Sequence, residues 1–253
     1  MRARSAFIAL LLAGSLLAGA AHAQTPPRFL AVAEALVDDL QQSQLTSPIW
    51  PNVYGTDPYI VWAGAGSSAR TECSSFVTLL WQHTYGWTPA TFSSWTGHTS
   101  PVAAVYHDEI VAQNDFIRLQ TIDELQPGDL IAIVYYPETQ SPSGHLMIVE
   151  DVPQANSSKP FIDGTNQWTI AVVDSTSSYH GTSDTRYAHP GGIGRGIFRL
   201  YTNADGTVAG YTWSLLGTSV ASYYAQATTV DSGHHLVLGR LARSIFQSGF
   251  ESP

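Results

Sequence analysis

The single cysteine of the chain, Cys73, lies in the run ARTECSSFVTLLW. Thr71 is placed to cap a helix there, so Cys73 falls in its first turn, where unpaired backbone N–H groups and the positive dipole end favour an anion. A thiolate is stabilised at such a position, and the same N–H groups can receive the oxyanion of a tetrahedral intermediate. A lone cysteine cannot close an internal disulfide, which leaves a packing residue, an intermolecular bridge or a reactive thiol. Its polar neighbours Glu72, Ser74 and Ser75 favour the reactive thiol, with Ser74 a candidate substrate contact.

A thiolate nucleophile needs a base to carry its proton to the leaving amine, and the base needs a partner that holds its ring. Among nine histidines, His145 is the best placed. It opens HLMIVEDV after the turn residues 141–144, which sets its ring at a sheet end while Leu146 and Ile148 alternate with Met147 and Val149. Taken alone, a histidine at a strand start is more often just a polar surface residue. Asp174 closes the apolar run WTIAVV, where a carboxylate is costly unless hydrogen-bonded, the plainer reading being a turn or cap. If it only orients the ring, asparagine should keep much of the activity, because an amide oxygen still accepts the ring N–H.

The elements that must position these residues follow from periodicity. Phe29, Val32, Leu36 and Leu40 recur at helical spacing over 28–42. Residues 46–66 are broken by Pro48, Pro51 and Pro58 and are expected to be loop. A second helix is expected from about Thr71 to Gly86, and a third with Ser100 as N-cap and Pro101 in its first turn. Strands are expected over 130–136, 145–152, 168–176, 196–202 and 207–214, the last two joined by the hairpin signal Asn203-Ala-Asp-Gly206. Helices first and strands afterwards imply an α+β fold in which the cysteine-bearing helix packs on an antiparallel sheet.

Together these segments resemble the NlpC/P60 family of papain-like cysteine hydrolases: TECSSFVTLL is similar to its cysteine helix, LQPGDLIAIV to its Pro-Gly-Asp strand and SGHLMIVEDV to its histidine strand. The likeness spans roughly residues 59–176. It implies a papain-like core, with Cys73 the nucleophile, His145 the base and Asp174 the orienting residue. It also implies an assisting tyrosine upstream of the cysteine, for which Tyr59 in PYIVWAGAG is the nearest match. The implied substrate is a peptidoglycan stem peptide or another amide. A CHAP-type amidase, a transglutaminase-like enzyme and a catalytically degenerate binding module of the same fold are the alternatives. Glu72 and Ser75 depart from the family's Asp-Cys-Ser-Gly-Phe, and aspartate at the third position replaces its more frequent histidine.

Beyond the likeness, GGIGRG is expected to form a tight loop presenting Arg195, and Arg186 and Arg195 are candidate contacts to a substrate carboxylate. His180, His189, His234 and His235 raise a metal reading, but no HExxH or CxxC spacing is present, and no metal or cofactor is expected. Residues 1–23 have the charged, apolar and small-residue parts of a secretory signal, which implies a secreted or periplasmic protein. The remaining organisation is an N-terminal helix and linker over 24–48, a catalytic domain over 49–230 and a tail over 231–253. The net charge of −9, with Lys159 the only lysine, argues against nucleic acid or an anionic membrane as partner, and no membrane association is expected after signal cleavage.

Overall fold

The long amphipathic runs form the elements that their periods imply. In a computed structural model, which describes residues 25–137, 142–229 and 232–242, helix α1 covers Arg28–Thr46 and buries Phe29, Leu30, Ala33, Leu36, Val37 and Leu40. The expected signal segment, residues 1–23, and most of the expected tail lie outside the described residues. Helices α2 (Cys73–Tyr85), α3 (Pro89–Thr96) and α4 (Ala103–Ala112) follow. The N-cap of α2 is Glu72, with Ser75 Oγ accepting its backbone N–H at 2.9 Å, and Thr71 is spent elsewhere. Helix α4 starts beyond Ser100, on Val102, and α3 carries its own cap in Thr88 with Pro89 in the first turn.

Three short strands, β1 (Asn52–Tyr54), β2 (Tyr59–Val61) and β3 (Ser68–Thr71), pair in the order β1-β3-β2 within the stretch expected to be loop. The other nine form one sheet: β4 (Phe116–Leu119), β5 (Leu130–Tyr136), β6 (Gly144–Val149), β7 (Gln154–Asn156), β8 (Asn166–Thr176), β9 (Gly192–Thr202), β10 (Val208–Thr212), β11 (Tyr223–Ala225) and β12 (Gly233–Leu241). Their order is β11-β10-β9-β8-β6-β5-β12-β4, with β7 also on β8, and every pairing is antiparallel. The sheet curls on itself. Past β11, Gln226 bridges to His234 at the start of β12, and its side-chain amide exchanges two hydrogen bonds with the backbone of Leu236.

Alternation along the strands fills two cores. Ile131, Ile133, Met147, Val149, Ile170, Val172, Phe198 and Leu236 pack inside the curl. Leu130, Ala132, Leu146, Ile148 and Val173 face Phe76, Val77, Leu80 and Trp81 of α2 and the buried side of α1. The architecture is thus β-rich, a nine-stranded antiparallel sheet with four α-helices among the described residues, and this corrects the expected papain-like α+β core. The physical cause is the number of strands that local pattern concealed. Residues 52–71 and 116–119 carry little alternation, and Gly233–Leu241, expected to begin a tail, is inserted between β5 and β4. Residues 192–196 of GGIGRG are likewise strand, the first half of β9, paired along their length with β8.

Candidate functional site

Strand β3 runs directly into α2, and one buried staple fixes both to the sheet. The Thr71 hydroxyl donates to Ser175 Oγ at 2.9 Å, and Ser175 Oγ donates to the Thr71 carbonyl at 2.8 Å. Cys73 therefore stands across from Asp174, the residue before Ser175 on β8. Strand β6 pairs with β8 at Ile148 and Val173, which brings His145 between the two. His145 Nε2 lies 2.6 Å from Asp174 Oδ2, and the Cys73 side chain acts on the same ring through its charge and as a hydrogen-bond partner. The three expected residues are thus brought together, all buried or nearly so.

Electrostatics favour an ionised His145. Burial alone would lower its pKa, but the Cys73 charge and the hydrogen bonds to Asp174 and Cys73 outweigh it and raise the pKa from 6.5 to about 9. Asp174 is opposed by burial too, yet the Arg186 and His180 charges and two imidazole hydrogen bonds hold it well below the usual carboxylate range. Replacing Cys73 by alanine removes an attractive charge from beside the ring. The His145 titration, followed by NMR, should then fall below its wild-type value; an unchanged midpoint would mean that the thiolate is not its partner.

The carboxylate is held from behind by residues that local pattern did not assign to this role. His180 Nε2 reaches Asp174 Oδ2 at 3.0 Å, and His180 Nδ1 donates to the Trp213 carbonyl at 2.8 Å. With an acceptor at each ring nitrogen, an imidazolium satisfies both. Arg186 Nη1 donates to Asp174 Oδ1 at 2.7 Å, while its Nε and Nη2 clasp Asp184 at 2.8 Å each. The expectation that Arg186 binds substrate is corrected: it is 1% exposed and its charge is fully engaged within the protein. Arg195 is corrected likewise, since it is bound to Glu150 of the loop after β6 and to Asp38 of α1, away from the cysteine.

The glycines of β9 make this backing possible. Gly194 pairs with Asp174 and Gly196 with Val172, so the segment 177–191 lies flat on the sheet directly over them. A Cβ on Gly194 would meet Arg186 Nε at 2.6 Å, and one on Gly196 would meet Asp184 Oδ2 at 2.6 Å and His180 Cβ at 2.7 Å. Strand glycines commonly mark such close approaches. Gly196→Ala should therefore destabilise the fold by about 1–3 kcal/mol, as overpacking does, and should displace His180 from Asp174. Denaturant melts and the His180 ring resonances check this, and an unperturbed melt would show that the segment yields freely.

Tyr59, the expected assisting tyrosine, is misplaced: it is on β2 opposite Arg70, 45% exposed, and does not line the groove beside Cys73. Tyr54 occupies that place. Parallel pairing of β1 with β3 sets it opposite Thr71, and burial, followed by the charges of Cys73, Glu72 and Asp174, raises its pKa. The groove has two lobes that meet over Tyr54, Pro142 and Gly144. One of about 260 Å³ contains Cys73, Glu72 and Ser74, and one of about 330 Å³ opens beyond His145. Ser74, the expected substrate contact, lines the Cys73 lobe.

His145, Asp174 and His180 also place three potential ligand atoms within 4.8 Å of one another. An ion there would have to break both imidazole hydrogen bonds to Oδ2 and sit beside the buried Arg186 guanidinium, which already neutralises the carboxylate. Of the other histidines considered as ligands, His189 stacks on Trp50, His234 bonds the Tyr211 hydroxyl at 2.7 Å, and His235 bonds His107 at 2.7 Å.

Sheet and site together define a β-rich protein with a buried Cys-His-Asp constellation beside a two-lobed groove. Over 182 residues the chain is 35% identical to "Uncharacterized protein R653" of Acanthamoeba polyphaga mimivirus, covering 68% of this chain and 77% of the viral protein. The chain belongs to the same family as that protein. No family profile matches it, and no solved structure does.

Proposed function

We propose that this chain is a cysteine hydrolase of amide bonds, with Cys73 as nucleophile, His145 as acid and base, and Asp174 as the residue that holds the ring. The observation that carries this reading is a His145 ring that interacts with both the Asp174 carboxylate and the Cys73 side chain. The thiolate attacks the carbonyl carbon, and the oxyanion that forms faces the N-terminal N–H groups of α2. As the C–N bond breaks, His145 gives its proton to the departing amine and leaves a thioester on Cys73. Water then adds to that thioester with its proton passing to His145, the C–S bond breaks, and the acid leaves.

The sequence likeness to NlpC/P60 hydrolases supports peptidoglycan stem peptides as the substrate class, and the leader-like residues 1–23 support export to the compartment where such peptides lie. Digestion of purified peptidoglycan, with released fragments identified by mass, tests both bond and substrate. New amino and carboxyl termini that are absent with a Cys73→Ala protein are expected. Failure to cut peptidoglycan or any simple amide, with the thiol still open to alkylation, would sink the reading in favour of a binding module.

The pH dependence has a definite sign. His145 has its pKa raised from 6.5 to about 9, so the stability that its protonation contributes is fully present below about pH 6.5 and is lost as pH rises through about 9. The rate should fall over the same alkaline range as the acid that protonates the leaving amine disappears. Profiles of kcat/KM and of melting temperature should therefore decline together near pH 9. An alkaline limb near pH 6.5 would contradict the assignment.

A further inference from the structure

The two lobes of the groove are chemically unlike. The Cys73 lobe carries the Glu72 carboxylate, whereas the lobe beyond His145 is lined, among the described residues, by no aspartate, glutamate, lysine or arginine. Its walls are Tyr135, Tyr211, Trp213, Tyr224 and His234, with Ser177 and Ser178 at one side. Burial lowers the pKa of His234, which keeps that ring uncharged at neutral pH. The one ionised group that lines it, His145, is already engaged by Asp174 and Cys73, so an ionic group entering this lobe would lose water and find no unengaged countercharge among the described residues, a cost that a neutral group avoids.

The aromatic groups are arranged as a platform. Tyr224 stacks on His234 with ring centres 4.4 Å apart and planes at 22°, and on Tyr211 at 5.2 Å and 27°. The Tyr211–His234 hydrogen bond of 2.7 Å fixes the platform from below, while Tyr224 stays 45% exposed with surface to offer a ligand. At about 330 Å³ the lobe is at the small end of ligand clefts, which run from ~300 to 1,000 Å³, so it suits one ring and not an extended chain. Apart from Tyr135, these wall groups come from the chain after Thr176, outside the segment that resembles the NlpC/P60 motifs.

We infer that this lobe is a specificity subsite for the amine-side part of the substrate, and that it takes an uncharged, ring-bearing group with hydroxyl or amide substituents. A sugar ring and a phenolic side chain share that chemistry. The orientation rests on the proposed amide hydrolysis: His145 must protonate the departing nitrogen, so the amine portion lies on the side of its ring.

A set of chloroacetamides tests the subsite without requiring turnover, because Cys73 displaces chloride from each whatever its natural substrate. The amide nitrogen carries a phenol, a glucosamine ring, a carboxylate or an ammonium group, and each rate is divided by that of iodoacetamide on the same protein. At least one neutral ring-bearing label should react about tenfold faster than both charged ones, the scale of a filled against an unfilled contact. Tyr224→Ala should erase that preference, and Tyr224→Arg should turn it towards the carboxylate. Whichever neutral label leads names the source of the ring. Equal rates, or faster reaction of a charged label, would overturn the subsite even if amides are cleaved; a preserved preference with no amide cleaved would overturn the hydrolase reading alone.

Discussion

Replacing Cys73 by serine or alanine should reduce hydrolysis by roughly 10⁴-fold or more while leaving the fold in place, as loss of a nucleophile from a unit that acts together does. Serine keeps the volume of the site but not its charge. Its hydroxyl stays protonated beside His145, and the positive end of α2 cannot make an alkoxide of it at neutral pH. Both variants lose the anion that holds the His145 proton, so the stability lost near pH 9 in the wild type should shrink with the rate. The structural cost is small because Cys73 sits at the edge of the helical core, 5% exposed, and truncation there should cost about 1 kcal/mol. Turnover assays beside thermal melts decide the matter. Near-normal rates in either variant would end the thiol mechanism.

What local pattern could and could not reveal follows from how far apart the interacting residues lie in the chain. Cys73, His145 and Asp174 were legible because each has a local mark: a polar helix start, a turn before an alternating strand, and a carboxylate closing an apolar run. Tyr54 has no such mark. Its place beside Cys73 depends on parallel pairing of β1 with β3, and that register is set partly by Asn52, whose side chain exchanges hydrogen bonds of 2.6 and 2.8 Å with the backbone of Ile193, far along the chain. Thr71 illustrates the competition between local and distant partners, since the hydroxyl expected to cap α2 goes to Ser175 instead.

The sheet was under-read for a related reason. Strand β12 carries two histidines and an internal glycine that blur its alternation, and only its neighbours β4 and β5 explain why GHHLVLGRL is extended. In β9, glycines that suggested a loop are the mark of a segment lying on the strand. That segment delivers His180 and Arg186 to Asp174. A buried arginine cannot be told from a solvated one in sequence unless its acids are recognised. Here one of them, Asp184, is two residues away and the other is across the sheet.

Asp174→Asn should now be far more damaging than a merely orienting carboxylate would allow. The side chain is fully buried and every polar neighbour donates to it: His145 and His180 to Oδ2, Arg186 to Oδ1. An asparagine must turn its NH₂ either to Arg186, donor against donor, or to the two imidazoles. In the second arrangement His145 Nε2 becomes an acceptor, and its proton moves to the nitrogen facing Cys73, the wrong tautomer for a base. The same aspartate-to-asparagine change in a serine-protease triad lowers turnover about 10⁴-fold by that tautomer switch, and a loss of similar order is expected here. Removing one partner of a buried ion pair costs roughly 3–5 kcal/mol, the lower end applying because Asp184 still clasps Arg186. Asp174→Ala should be as inactive. Adding Arg186→Met to Asp174→Asn would take the cation from the buried Asp184 as well, so the melting temperature should fall further and kcat/KM should not recover. Wild-type-like kcat/KM in Asp174→Asn would show that the carboxylate has no part in setting the His145 ring.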